Sequence, residues 1–168
     1  QWSWSASLRP RGEVFVNRHF GLTPDVLNYP VPDEVDVVTQ QTRVGISAAR
    51  GPVSAHLQLQ HVAAWGVYGG DALTDGPIGL HQAWFEVKPS DTVDVRVGRQ
   101  ELVYGAHRVL GNVGWDQVGR AWDGVRVSLA LPADTKLDIL GAQYAEGWVE
   151  KPATYTGKLL DEDAYLGG

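Results

Sequence analysis

The chain has 168 residues, 43% of them hydrophobic and 20% charged, with a formal net charge of −6 at pH 7. That length supports one domain with a sizeable core, and the acidic balance, with no Lys/Arg cluster, argues against a nucleic-acid partner. The absence of Cys excludes a disulfide framework and a thiolate metal site, and no apolar run is long enough for a transmembrane helix.

Spanning strands escape that last test, because they leave only a weak alternating signal. From Trp2 to Val16 the even positions are largely apolar (Trp2, Trp4, Ala6, Leu8, Val14, Val16), while Ser3, Ser5, Ser7, Arg9, Arg11 and Glu13 fill the odd ones. A typical soluble strand has about five or six residues and a tilted spanning strand about nine to eleven, so the first strand is membrane-sized.

The second and third strands keep the habit. Val38, Val44, Ile46 and Ala48 oppose Gln41, Arg43 and Ser47, and Val53, Ala55, Leu57 and Leu59 oppose Ser54, His56, Gln58 and Gln60. A fourth, HQAWFEVK, sets Ala83, Phe85 and Val87 against Gln82, Trp84 and Glu86; a fifth runs from Val93. A sixth sets Val125, Val127, Leu129 and Leu131 against Arg126 and Ser128, and a seventh begins at Lys136. No segment shows a sustained helical period.

Short connections (ARGP from Ala49, PSDT from Pro89, PADT from Pro132) alternate with long ones at roughly 17–36, 66–79, 105–119 and 145–163. Pro fixes φ and Asp bonds its own turn, so P-x-D-T is a tight turn with a mechanism. Short turns on one side and long loops on the other predict an antiparallel transmembrane β-barrel wall, with periplasmic turns and extracellular loops. Seven strands and a stub cannot close in lipid without leaving an unsatisfied edge. The expected architecture is therefore part of a larger barrel, incomplete at its C-terminal end, in a single domain over residues 1–168.

In the polar phase, Arg9, Arg11, Arg43, Arg96 and Arg126 stand with Glu13, Glu86, Asp94 and Asp138, so the expected interior is mixed in sign. The segment GRQELVYGAHR breaks the pattern of strand five. Continued in phase, Arg99 would face lipid at a cost of ~2–4 kcal/mol near mid-membrane. A bulge at Gly98 is expected instead, turning Arg99, Glu101 and Val103 inward and Leu102 and Tyr104 toward the bilayer.

GRQELVYGAHRVLGNVGWDQVGRAWDGVRVSL, residues 98–129, resembles the signature region of the alginate-export family of outer-membrane proteins. SLRPRGEV, QQTRVGISA, LQLQHVAAWG and LHQAWFEV match in order and spacing around it. The resemblance implies an eighteen-stranded outer-membrane barrel, of which this chain spans about the first third, exporting an acidic, alginate-like exopolysaccharide. His61, Val62 and Ala63 replace the charged run that the family carries after its third strand, and so make the lumen less basic. The path implied by the resemblance comprises Arg9, Arg11, Glu13, Arg43, Glu86, Arg96, Arg99, Glu101, Arg108, Arg120 and Arg126. Guanidinium binds carboxylate bidentately, and repeated weak sites let a polymer slide. The expected partners are polysaccharide, outer-membrane lipid and periplasmic export components, with no nucleic acid, cofactor or metal.

Each of these Arg residues also has a plainer role, as a cross-strand partner of an acid. Trp2, Trp4, Trp65, Tyr104 and Trp122 could stack sugar rings or form an interfacial girdle. Asp116 with Asp123, or Glu86 with Asp94, would be the carboxylate pairs of a glycosidase, and no nucleophile motif accompanies them. The acids Asp25, Asp33, Glu34 and Asp36 lack the ligand spacing of a Ca²⁺ loop. A diffusion porin or scaffold barrel and a soluble carbohydrate-binding sheet remain as alternatives.

Overall fold

A computed structural model describes residues 1–16, 34–65, 78–107, 110–144 and 165–167. Eight strands follow in order: β1 (Trp2–Val16), β2 (Glu34–Arg50), β3 (Val53–Trp65), β4 (Gly79–Ser90), β5 (Val93–Gln100), β6 (Trp122–Leu131), β7 (Thr135–Tyr144) and the short β8 (Tyr165–Gly167). Each pairs antiparallel with its sequence neighbours in a single meander. Among the described residues β1 and β8 do not pair, so the sheet is open, and Gly105–His107 form the one helical turn. No helix there is long and apolar enough to cross a membrane.

Strand register makes the sheet oblique. Val53, Val87, Val95, Val127 and Ile139 lie on one row of paired residues. The chain turns at that row after β2 (Arg50 opposite Val53), two positions below it after β4 (Val95 to Val93), and four below after β6 (Val127 to Leu131). One residue of stagger per strand, at ~3.3 Å rise and ~4.8 Å spacing, tilts the strands by about 35° from the normal to the line of turns.

The two faces of the sheet are opposite in character. Trp2, Trp4, Leu8, Val44, Ile46, Leu57, Phe85, Val125, Leu137 and Ile139 lie on one face, all at least 42% exposed. Polar side chains dominate the other face and supply buried Gln41, Glu86, Gln100 and Ser128. A water-soluble sheet protein would bury the first set and expose the second.

The apolar face also has an upper edge. Above the residues at the short turns, of which Arg50 in β2 and Thr135 in β7 are themselves polar, its next polar residue comes eight positions up in β2 (Arg50 to Thr42), β3 (Val53 to His61) and β6 (Leu131 to Asp123), and six up in β5 (Val93 to Arg99). β7 turns polar at Gln143, again eight above Thr135. Eight residues at ~3.3 Å, inclined by ~35°, give an apolar band about 20 Å tall.

Gly98 does not switch the phase of β5. Pairing runs unbroken through Trp84–Gly98–Gly124 and Ala83–Arg99–Asp123, so Arg99 stays on the apolar face, contrary to the inward placement expected from sequence. Two causes make that position tolerable: Arg99 sits at the polar edge of the band, and Asp123 neutralises it through Nε–Oδ1 and Nη2–Oδ2 bonds of 2.9 and 2.6 Å. Gly98 has a different task. Its φ is +119°, and a Cβ there would run into the Ala83 carbonyl oxygen of the neighbouring strand.

The irregularity lies instead in the partner strand. Gln58 pairs with Gln82 but Leu59 with Leu80, leaving His81 as an extra residue in β4. That bulge turns His81, otherwise in phase with Ala83, into the polar side.

Candidate functional site

The described part of the long β5–β6 connection, residues 101–107 and 110–121, does not stand clear of the sheet. It returns across the polar face as far as β1, and it is held there almost wholly by side chains of the strands. Arg9 donates through Nε to Gln117 Oε1 (2.9 Å), through Nη1 to the Gly114 carbonyl (2.5 Å), and through Nη2 to the Asp116 carbonyl. Arg11 Nη1 donates to the Trp115 carbonyl at 2.8 Å. From β2, Gln41 Nε2 donates to the Gln117 carbonyl, and from β3 Gln60 Nε2 donates to that of Val118 at 2.7 Å. Gln117 answers by donating to Thr39 Oγ1 at 2.8 Å.

These bonds serve a clear purpose. A loop laid over a sheet has backbone carbonyls and amides removed from water, and each needs a partner. Strand arginines and glutamines supply the donors, while Asp116 Oδ1 caps the Val118 amide at 2.7 Å. Gly119, at φ +74°, lets the chain lie close, since a Cβ would come 2.7 Å from Arg43 Nη2.

At its start the loop is fastened by Glu101. The carboxylate accepts from His81 Nε2 (2.7 Å), Asn112 Nδ2 (2.7 Å) and Arg43 Nη1 (3.3 Å). Burial pushes its pKa up, but the hydrogen bonds from His81 and Asn112 and the charges of His81 and Arg43 outweigh that, and the group lies below its ordinary value. The β4 bulge is what brings His81 into this set.

A second cluster lies nearer the short turns. Glu86 Oε2 accepts from Arg96 Nη2 at 2.6 Å and lies 3.6 Å from Arg126 Nη2. Lys88 bridges Glu86 and Asp94 at 3.9 and 3.6 Å. The Arg96 guanidinium also lies 3.8 Å over the Trp84 ring, whose other neighbour is the stacked His56. A guanidinium desolvated by an aromatic face and a carboxylate at once is rigid and only 20% exposed.

The expected path residues therefore separate into groups. Arg9, Arg11, Glu13, Arg43, Glu86, Arg96, Glu101 and Arg126 share the polar face. Arg9 and Arg43 are spent on the loop, and Arg96 and Arg126 on Glu86. Arg11, paired with Glu13 at 2.5 Å, remains the most open of those in ion pairs there, at 39%. Arg99 is on the opposite face, Arg120 is exposed in the loop, and Arg108 lies outside the described residues, as do the side chains of Trp65, Glu34 and Asp36 and all of Asp25 and Asp33.

Other expectations need correction. Leu102, assigned to the bilayer, is 1% exposed, and Val103, assigned inward, is 44% exposed, because alternation ends with β5 at Gln100. Tyr104 bridges to Leu110 within the loop rather than standing at a girdle. Its hydroxyl is raised in pKa by burial and then by Asp138. Trp122 is buried at 8% exposure, whereas Trp2 and Trp4 stand open at 71%. Asp116 and Asp123 lie on opposite sides of the sheet, and Lys88 stands between Glu86 and Asp94, so neither pair flanks a common cleft.

Reasoning from charge alone missed the uncharged members of the site: Gln41, Gln60, Asn112, Gln117 and His81. The polar phases QQTR and LQLQ carried a signal for the first two. No family model, curated protein or solved structure matches this chain.

Proposed function

We propose that this chain forms part of the wall of an outer-membrane β-barrel channel that passes an acidic polysaccharide, with the 101–121 loop narrowing the lumen. One observation carries the reading: one face of the sheet exposes large apolar side chains, while the other buries polar ones such as Gln41, Glu86, Gln100 and Ser128. Lipid is the solvent that reverses the usual arrangement, and the ~35° inclination and the ~20 Å band both suit a spanning barrel wall. The polar face then becomes a lumen, and the crossing loop its constriction.

The resemblance over residues 98–129 names the cargo class. Arg11, open at the loop tip, offers a guanidinium to a uronate carboxylate. The consumption of Arg9, Arg43, Arg96 and Arg126 by internal partners favours a second reading, a less selective diffusion channel. Planar-bilayer conductance of the full chain separates the two. Block by a uronate oligomer at concentrations where neutral dextran has little effect supports export; equal block by both supports a diffusion channel. A protein that stays monomeric in buffer without detergent contradicts both.

A further inference from the structure

Trp115 presents an anomaly. Its indole is 72% exposed, as open as Trp2 and Trp4, yet it belongs to the loop on the opposite, polar side of the sheet. Indoles normally bury their large apolar area, and this one has no lipid phase to enter. Nor is it loose: the Gly114, Trp115 and Asp116 carbonyls are all held by Arg9 or Arg11, the Asp116 amide donates to Val113 at 2.9 Å, and Arg120 closes the excursion onto Asn112 at 2.8 Å. The backbone is fixed from behind while the ring is left free.

We propose that Trp115 and Arg11 form a saccharide subsite at the tip of the crossing loop. The ligand class is an acidic pyranose chain, so this rests on the export reading above. The C–H face of a pyranose ring is apolar and stacks on an indole, as another aromatic ring would. Arg11 uses one nitrogen on the Trp115 carbonyl and another on Glu13. Its five N–H donors leave others for a ring carboxylate or a pair of hydroxyls. Because Arg11 grips the Trp115 backbone itself, the charge-recognising and ring-recognising groups are coupled in position. The charge gives selectivity for a uronate, and the indole gives grip that any hexose unit can use.

The test is concentration-dependent block of the full-length protein in planar bilayers, by a uronate hexamer and by uncharged maltohexaose. Trp115→Leu, which stays apolar but loses the ring, is expected to weaken block by both sugars roughly 2- to 12-fold. Trp115→Phe should retain most of the affinity. Arg11→Gln should weaken uronate block selectively. If the wild type is blocked by uronate and Trp115→Leu is blocked equally well, the subsite is overturned and the export reading stands. If the wild type is not blocked by uronate at all, both fall.

Discussion

Arg9 and Gln117 are 108 positions apart in sequence, yet their side chains meet at 2.9 Å, where the β5–β6 loop touches the first strand. This contact marks the far anchorage of the loop, and Arg9 supplies three of the donors that hold it. Arg9→Ala should therefore free the tip while leaving the sheet intact. Hydrogen bonds from charged groups contribute ~1.5–3 kcal/mol each, so amide exchange at Val118 and Gly119 is expected to accelerate about tenfold or more. Exchange that stays at the wild-type rate would show that the loop does not depend on Arg9.

Loop anchorage at Glu101 should respond to acid. This carboxyl lies below its ordinary value near 4.5. A depressed folded pKa means that the stabilisation is complete above the unfolded value and is lost as pH falls through the lower folded one. Loop exchange should thus be insensitive to Glu101 between about pH 5 and 8 and rise only below about 4.5. Glu101→Gln should remove that acid transition, and His81→Ala should move it upward by deleting the largest lowering contribution. An acid transition that persists unchanged in Glu101→Gln would assign it to another group.

Arg99 and Asp123 form a charge pair on the apolar face, so the two truncations should be unequal. Asp123→Ala leaves an unpaired guanidinium at the edge of the apolar band, where the lipid cost lies between ~0–1 kcal/mol at an interface and ~2–4 at the midplane. Arg99→Ala leaves a carboxylate that is already 47% exposed and tolerated better. Denaturation in lipid should rank Asp123→Ala as less stable than both Arg99→Ala and the double variant. Strict additivity in the cycle would mean that the pair contributes nothing.

Gly98 and Gly124 face each other across β5 and β6, and neither has room for a Cβ. Gly98→Ala should cost more than ~2 kcal/mol, because a left-handed φ and a backbone collision add together. A folded yield and denaturation midpoint equal to wild type would contradict this.

Alternation made the strands legible, since the period of two survives wherever the two faces of a sheet have opposite polarity. It also placed Arg9, Arg11, Arg43, Glu86, Arg96 and Arg126 together. It could not place Arg99. The rule that forbids a lipid-facing Arg presumes isolation, and Asp123, 24 positions away, is paired with it only by the β5–β6 register. Nor could it show that the described residues of the β5–β6 connection lie across the polar face. The donors that hold them are scattered over four strands, and the bulge that delivers His81 has no Gly or Pro at Leu80, His81 or Gln82. The near-repeats KPSDTVDVRVG and LPADTKLDILG illustrate the same limit: Ala133 and Asp134 adopt left-handed φ in the second turn, whereas their counterparts Ser90 and Asp91 do not in the first.

An apolar face in lipid and a loop-bearing face in water would be reached by different relaxants. The absence of native Cys permits a clean scan with single spin-labelled cysteines along β2 and β3, from Val44 to Ala48 and from Val53 to Gln58, in reconstituted bilayers. Oxygen accessibility should peak at Val44, Ile46, Ala55 and Leu57, and a water-soluble nickel relaxant at Ser47, Ser54 and Gln58, giving two period-two curves in antiphase. Curves in phase, or high nickel accessibility at Ile46 and Leu57, would put the apolar face in water and rule out a lipid-facing wall.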